Sequence, residues 1–335
     1  MKVISVVLLC IAAASAIPVQ EQTNGWSVPQ EDGTFEWMTT EEFEALKDST
    51  PQGRAAAVVT FYLYTNSNPN SPQEIAINDA SALKNSNYNS ANPTRFIIHG
   101  WQNNYLSDVN VVLRGALLAT GKYNVICVDW SSKAETINYA ASVLRVPGVG
   151  KQVANFIDFL YTSGGMSFGN LLVMGHSLGA HVSGFAGKNV KYGRIHQITG
   201  LDPALPLYSY DDPSERLNQN DADYVESIQT CGGLLGFLQP IGKSAFYPNG
   251  GRTQPGCGLD LAGSCAHSRS YEYYGEAIRD NDFPTMKCGN YEAAVDKSCG
   301  STYSSVRMGA PSNYVNAFGD FYVPVNSKSP YGKGS

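Results

Sequence analysis

Two pentapeptides set a serine between glycines, Gly165-Met166-Ser167-Phe168-Gly169 and Gly175-His176-Ser177-Leu178-Gly179. A serine hydroxyl attacks a carbonyl carbon only when a general base takes its proton. In the Gly-x-Ser-x-Gly pattern the serine sits on a sharp turn that needs a strand before it and a helix after it. Ser177 follows the apolar run Leu171-Leu172-Val173-Met174 and opens a small-residue helical stretch over 179–186. Ser167 comes after a helical stretch and before that same strand. Ser177 is therefore the candidate nucleophile, and Ser167 is a loop serine.

A base and an acid must follow. On a sheet of this kind the order along the chain is serine, acid, histidine. The five histidines are His99, His176, His181, His196 and His267. Only His267 lies beyond an acid that follows the next strand, which makes it the candidate base. The acids between Ser177 and His267 are Asp202, Asp211, Asp212, Glu215, Asp221, Asp223, Glu226 and Asp260. Asp202 alone ends a strand directly, in Ile198-Thr199-Gly200-Leu201-Asp202, where it would orient the imidazole and stabilise its charged form. Asp129 also ends a strand but precedes the serine, so it is expected to cap the following turn. The oxyanion formed on attack needs backbone N–H donors. One is expected from Leu178, and the other from the strand-to-helix loop His99-Gly100-Trp101.

These residues need a scaffold. Short apolar runs at Val58–Tyr64, Arg95–Ile98, Asn124–Val128, Asn170–Met174 and Ile195–Ile198 alternate with helical stretches at about 108–118 and 146–161 and after Ser177. Continuous apolar strands separated by helices predict a mainly parallel sheet with helices on both faces, and candidate residues then gather beyond the C-terminal ends of the strands.

Composition narrows the class. The 335 residues are 43% hydrophobic and 16% charged, which excludes a disordered chain and a multi-span membrane protein. The net charge of -6 offers no basic patch for phosphate backbones, so a nucleic-acid partner is not expected. Met1-Lys2, the apolar run over 3–14 and Ala14-Ser15-Ala16 form a signal-peptide pattern, so residues 1–16 are expected to be removed from a secreted protein. Residues 17–54 are acidic, with little aliphatic periodicity, and end in Pro51-Gln52-Gly53-Arg54. They read as a solvated tail or as a pro-segment cut after Arg54. The main domain is expected over 55–335. Secretion favours three disulfides among the remaining six cysteines. The short loops Cys257–Cys265 and Cys288–Cys299 suggest two of them, and Cys127–Cys231 follows by elimination. No Cys/His spacing suits zinc, and no cofactor is expected.

Five segments together resemble the pancreatic lipase family, in that family's order. They are Phe96-Ile97-Ile98-His99-Gly100-Trp101, the Gly175–Gly179 pentapeptide with Ala180-His181, Gly200-Leu201-Asp202-Pro203-Ala204, Phe246-Tyr247-Pro248-Asn249-Gly250-Gly251 and Cys265-Ala266-His267-Ser268-Arg269-Ser270. The likeness covers about 55–300. It implies an α/β-hydrolase fold, the triad Ser177, Asp202 and His267, and oxyanion donors at Trp101 and Leu178.

The departures from that family sharpen the expectation. The chain is too short for the family's C-terminal β-sandwich, so neither that domain nor colipase dependence is expected. The family's calcium-binding stretch falls on residues 213–223, where Pro213 and Asn218 replace ligands and only Arg216 and Asp221 match, so no required metal is expected. Only seven residues separate Cys257 from Cys265, where the family carries a helical lid. Seven residues with two glycines do not nucleate a covering helix. That shortening, and the short loop from Cys231 to Ile241, resemble the phospholipase A1 branch, and Leu234, Leu235, Phe237 and Leu238 either touch a bilayer surface or form a buried turn. The activity implied is sn-1 ester hydrolysis of phospholipids, with triacylglycerol lipase or galactolipase as alternatives. A non-catalytic, yolk-protein-like lipid binder is the remaining class, and the complete triad argues against it. Oligomeric state is not legible.

Overall fold

The structure, a computed structural model, describes residues 24–50, 58–131 and 138–334. The described residues open with a hairpin, β1 (Gly25–Pro29) and β2 (Phe35–Thr39), and a helix α1 (Thr40–Ser49). The strand β3 (Thr60–Tyr64), the short β4 (Gln73–Glu74) and α2 (Ala80–Asn85) precede the repeating part. There, strand and helix alternate: β5 (Thr94–Ile98), α3 (Asp108–Thr120), β6 (Asn124–Asp129), α4 (Tyr139–Gly164), β7 (Leu171–His176), α5 (Leu178–Asn189) and β8 (Gln197–Leu201). The chain closes through β9 (Tyr224–Ile228), β10 (Ser244–Pro248), α6 (Ser264–Asp280), β11 (Met286–Lys287) and β12 (Gly319–Val323), with short helical turns between the last two.

The ten strands from β3 to β12 form one sheet in the order β11-β12-β10-β9-β8-β7-β5-β6-β3-β4. From β6 across to β12 all neighbours are parallel, and the antiparallel pairs lie only toward the two edges. Central strands such as β6, β8 and β9 are buried along their whole length because helices cover both faces. One core lies under α4 and α5, with Phe96, Phe156, Val173 and Ile198. The other lies under α3 and α6, with Ile97, Leu113, Met174 and Tyr273. The expected fold class, a mainly parallel α/β sheet, is what forms.

Three expectations change. The helix expected at 146–161 begins seven residues earlier, capped by Asn138, whose side chain accepts from Ala141 N at 2.8 Å. Pro147 lies inside the helix, where Val143, Val146, Val149 and Val153 pack into the core and offset the lost backbone bond. The described part of the acidic stretch, residues 24–50, is folded rather than a solvated tail. These residues form β1, β2 and α1, from which Val28 and Phe43 join the main core and Trp26, Met38 and Leu46 pack against it. The third disulfide is absent: Cys127 and Cys231 are both buried free thiols. Cys127 lies in β6 and Cys231 follows β9, with three strands between them. Strand spacing of about 4.8 Å puts those positions far beyond disulfide reach. Cys257–Cys265 and Cys288–Cys299 form as expected. The expected signal segment and Arg54 lie outside the described residues.

Candidate active site

Ser177 stands between the end of β7 and the first residue of α5, with φ 58° and ψ −124°. A non-glycine residue in this region is strained and persists only when its surroundings hold it. Here its N–H donates to the Leu201 carbonyl at 3.0 Å, and its own carbonyl accepts from Ala180 N at 3.1 Å. The flanking glycines make the turn sterically feasible. A Cβ on Gly175 would lie 2.1 Å from the Gly179 carbonyl oxygen, and one on Gly179 would lie 2.2 Å from that of Ile98. Helix α5 therefore begins in direct backbone contact with the sheet, and its first N–H groups, starting with that of Leu178, follow directly after the serine. Ser167 only precedes a short helical turn ahead of β7.

Asp202 follows β8 with φ 43° and is fully buried. One carboxylate oxygen accepts from the N–H groups of Thr230 at 2.7 Å and Cys231 at 3.0 Å. The other lies 2.6 Å from His267 Nδ1. An acceptor-only carboxylate there requires Nδ1 to carry the proton. In the neutral ring Nε2 then carries the lone pair, and the ring lines the same cleft as Ser177. His267 is in the first turns of α6, whose start is capped by Asp260 through Ala266 N at 2.7 Å. The neighbouring bridge Cys257–Cys265 closes the loop that presents Asp260.

The other acids have different work. Asp221 pairs with Lys188 at 2.7 Å, and Asp223 with Arg194 at 3.1 Å. Glu226 is buried mid-strand, where it accepts from Thr199 and Asn313. Asp129 caps its turn by accepting from Ser131 N at 2.9 Å.

Two histidines brace the site, and residue order alone did not single them out. His176 packs on His267 with ring centroids 4.4 Å apart, and its Nε2 lies 3.2 Å from the His267 carbonyl oxygen. Burial, and then the neighbouring His267, hold His176 well below the ordinary imidazole value. His181 reaches from α5 to the segment after Asp202: Nε2 lies 2.7 Å from the Ala204 carbonyl, and Nδ1 accepts from Leu217 N at 3.1 Å. A detectable sign of both was their place around the serine, at positions −1 and +4.

The cleft over Ser177 holds about 270 Å³. Trp101, Gln102 and Asn103 after β5 form one side, with Trp101 edge-on to Tyr139 at 5.4 Å. Tyr271, Ala262 and Leu235 contribute elsewhere, and the tip of the β1–β2 hairpin completes the lining. Of the four residues read as bilayer contact or buried turn, Phe237 and Leu238 are buried, because the Cys231–Ile241 loop folds back on Asp202 and Pro203. Leu234 and Leu235 are half-buried. Leu259, at 86%, and Leu261, at 67%, are exposed instead, on the Cys257–Cys265 loop whose Ala262 lines the cleft.

The family's calcium stretch does not fit a metal in this chain. Lys188 Nζ lies 2.7 Å from the Asp221 carboxylate and 2.8 Å from the Arg216 carbonyl oxygen, the two matching positions. The ammonium already serves the oxygens a cation would bind.

The family model described as Lipase matches residues 27–331. The chain belongs to the lipase family. Human pancreatic triacylglycerol lipase is 37% identical over 266 residues, which cover 71% of this chain and 56% of that one. Pancreatic lipase-related protein 2 of Cavia porcellus is 40% identical over 253 residues, 71% of this chain and 56% of its own. The phospholipase A1 of Vespa crabro is 36% identical over 264 residues, covering 71% of this chain and 83% of its own. The lipase chain thus spans little more than half the length of the pancreatic relatives and most of the hornet protein.

Proposed function

We propose that this lipase-family protein is a secreted carboxylic-ester hydrolase that removes the sn-1 acyl chain of phospholipids through an acyl-enzyme on Ser177. The observation that carries ester hydrolysis is the 2.6 Å contact of His267 Nδ1 with Asp202, beside a serine on a positive-φ turn in the same cleft. His267 Nε2 takes the Ser177 proton as Oγ attacks the ester carbonyl. The N–H groups of Leu178 and Trp101 hold the oxyanion, and the imidazolium, steadied by Asp202, protonates the departing alcohol. Water then repeats the sequence on the acyl-serine. No step calls on a metal or a cofactor.

Phospholipid is favoured by the short loop between Cys257 and Cys265, too short to form a covering helix, and by likeness to the Vespa crabro phospholipase A1 over most of its length. Triacylglycerol hydrolysis is the second reading, supported by the likeness to pancreatic triacylglycerol lipases. Two disulfides suit an extracellular protein. The test is incubation of the purified protein with phosphatidylcholine, a galactolipid and a triglyceride, with products identified by mass. Lysophospholipid that has lost its sn-1 chain is expected. Faster triglyceride turnover would overturn the phospholipase reading, and absence of fluorophosphonate labelling at Ser177 would overturn the nucleophile.

A further inference from the structure

The β1–β2 hairpin stands against the cleft in a way that its acidic, weakly periodic sequence did not announce. Pro29 and Phe35 are direct partners across the hairpin. Directly opposed residues put their side chains on the same face, and both line the cleft that holds Ser177 and His267. The turn beyond them is closed by Gln30 N donating to the Thr34 carbonyl at 2.9 Å. The Asp32 carboxylate reinforces it by accepting from Thr34 N at 3.0 Å and Thr34 Oγ1 at 2.6 Å.

The rest of the segment is fastened to the domain. Val28 is 3% exposed in the main core, and the Trp26 indole N–H donates to the Tyr208 carbonyl at 3.2 Å. Thr39 and Glu42 form a reciprocal capping box that carries β2 into α1. In α1, Phe43 is 4% exposed and meets Trp26 edge-on at 6.0 Å. A hairpin closed at its tip and anchored at its base is a fixed wall, not a flap. It presents two apolar side chains to the same space as the reacting serine.

We propose that Phe35 is a specificity-determining residue: with Pro29 it forms the wall along which the acyl chain of the ester lies. The proposal rests on the ester-hydrolase reading of Ser177 and adds where the chain runs. Apolar contact there rewards chain length, since each methylene removed from water gains about fourfold in affinity. An acetyl group is too short to reach the wall and does not feel it.

The test compares p-nitrophenyl acetate, butyrate and octanoate, each below its solubility limit, in the intact protein and in Phe35→Ala and Phe35→Leu. Phe35→Ala is expected to lower kcat/KM for octanoate by about five- to tenfold, carried by KM, while acetate changes by less than about twofold. Phe35→Leu restores most of the loss, and the retained acetate turnover reports a folded site. Equal changes at all chain lengths, or no change at any, would overturn the wall. These soluble esters bypass the lipid head, so a triglyceride preference in the product assay would sink the phospholipase reading and leave this result standing.

Discussion

Gly100 and Ser177 are in backbone-to-side-chain contact: a Cβ on Gly100 would lie 2.8 Å from the Ser177 Cβ and 3.3 Å from its Oγ. The loop after β5 therefore closes on the serine with no room for a methyl group. Gly100→Ala is expected to displace either the serine or the loop bearing Trp101, and kcat for a soluble ester should fall by about a hundredfold. Steady-state kinetics beside a thermal melt check this, since the displacement is local and the core is untouched. A fully active Gly100→Ala protein would show that the contact does not matter.

Lys188 stands where the family's resemblance placed a metal. Its ammonium is shared by Asp221 and the Arg216 carbonyl, and the Asp221 side chain is only 3% exposed. Lys188→Met leaves that buried carboxylate without its cation and should cost roughly 2–3 kcal/mol, less than for a fully buried pair because Lys188 is partly solvated. Urea unfolding measures it. EDTA and added calcium are expected to leave the midpoint of the unsubstituted protein unchanged, and a calcium-dependent midpoint would contradict the assignment.

His181 gives the fold an acid limit. Burial is the main cause that brings it from its ordinary 6.5 down to about 3. The geometry agrees, because Nδ1 accepts from Leu217 N and has no place for a proton. The unfolded chain binds that proton more readily, so stability rises with pH across this range. Its contribution is complete above about pH 6.5 and is lost as pH falls from there toward 3. Unfolding midpoints measured through that window should decline. In His181→Ala the decline should be shallower, from a lower starting stability.

The Cys257–Cys265 bridge holds the loop from which Asp260 caps α6, one turn before His267. In the chain-entropy view, closing so short a loop stabilises by about 2–3 kcal/mol. Replacing both cysteines with serine should lower ester turnover more than it lowers the melting temperature, because the loop lies outside the sheet. Circular dichroism melts and kinetics on the same preparation distinguish the two effects. An unfolded sheet, or full activity, would count against it.

What was legible from residue order was whatever depends on local pattern. Ser177 is marked by its strand and its small-residue helix, and His267 and Asp202 by order along the chain, because a parallel α/β sheet brings the ends of β7 and β8 side by side. The contact between Asp202 and His267, 65 residues apart, needed the fold itself. So did the two thiols: Cys127 and Cys231 look like a pair when counted, but three strands separate them. Burial raises the Cys127 thiol to about 12 and pushes Cys231 up as well, so both are held as unreactive core side chains. The apolar run at 234–238 was ambiguous between bilayer contact and burial, since composition is the same for both, and backbone bonds to Asp202's neighbours decided for burial at Phe237 and Leu238. The hairpin was the least legible element. Five-residue strands in an acidic segment carry almost no periodic signal, and the apolar residues that fasten it, Trp26, Val28 and Phe43, find their partners only in the assembled core. Sequence alone determines which residues are chemically equipped, because side-chain type and strand or helix pattern are local. Only the tertiary structure decides which of them share a cleft, because that depends on contacts between residues far apart in the chain.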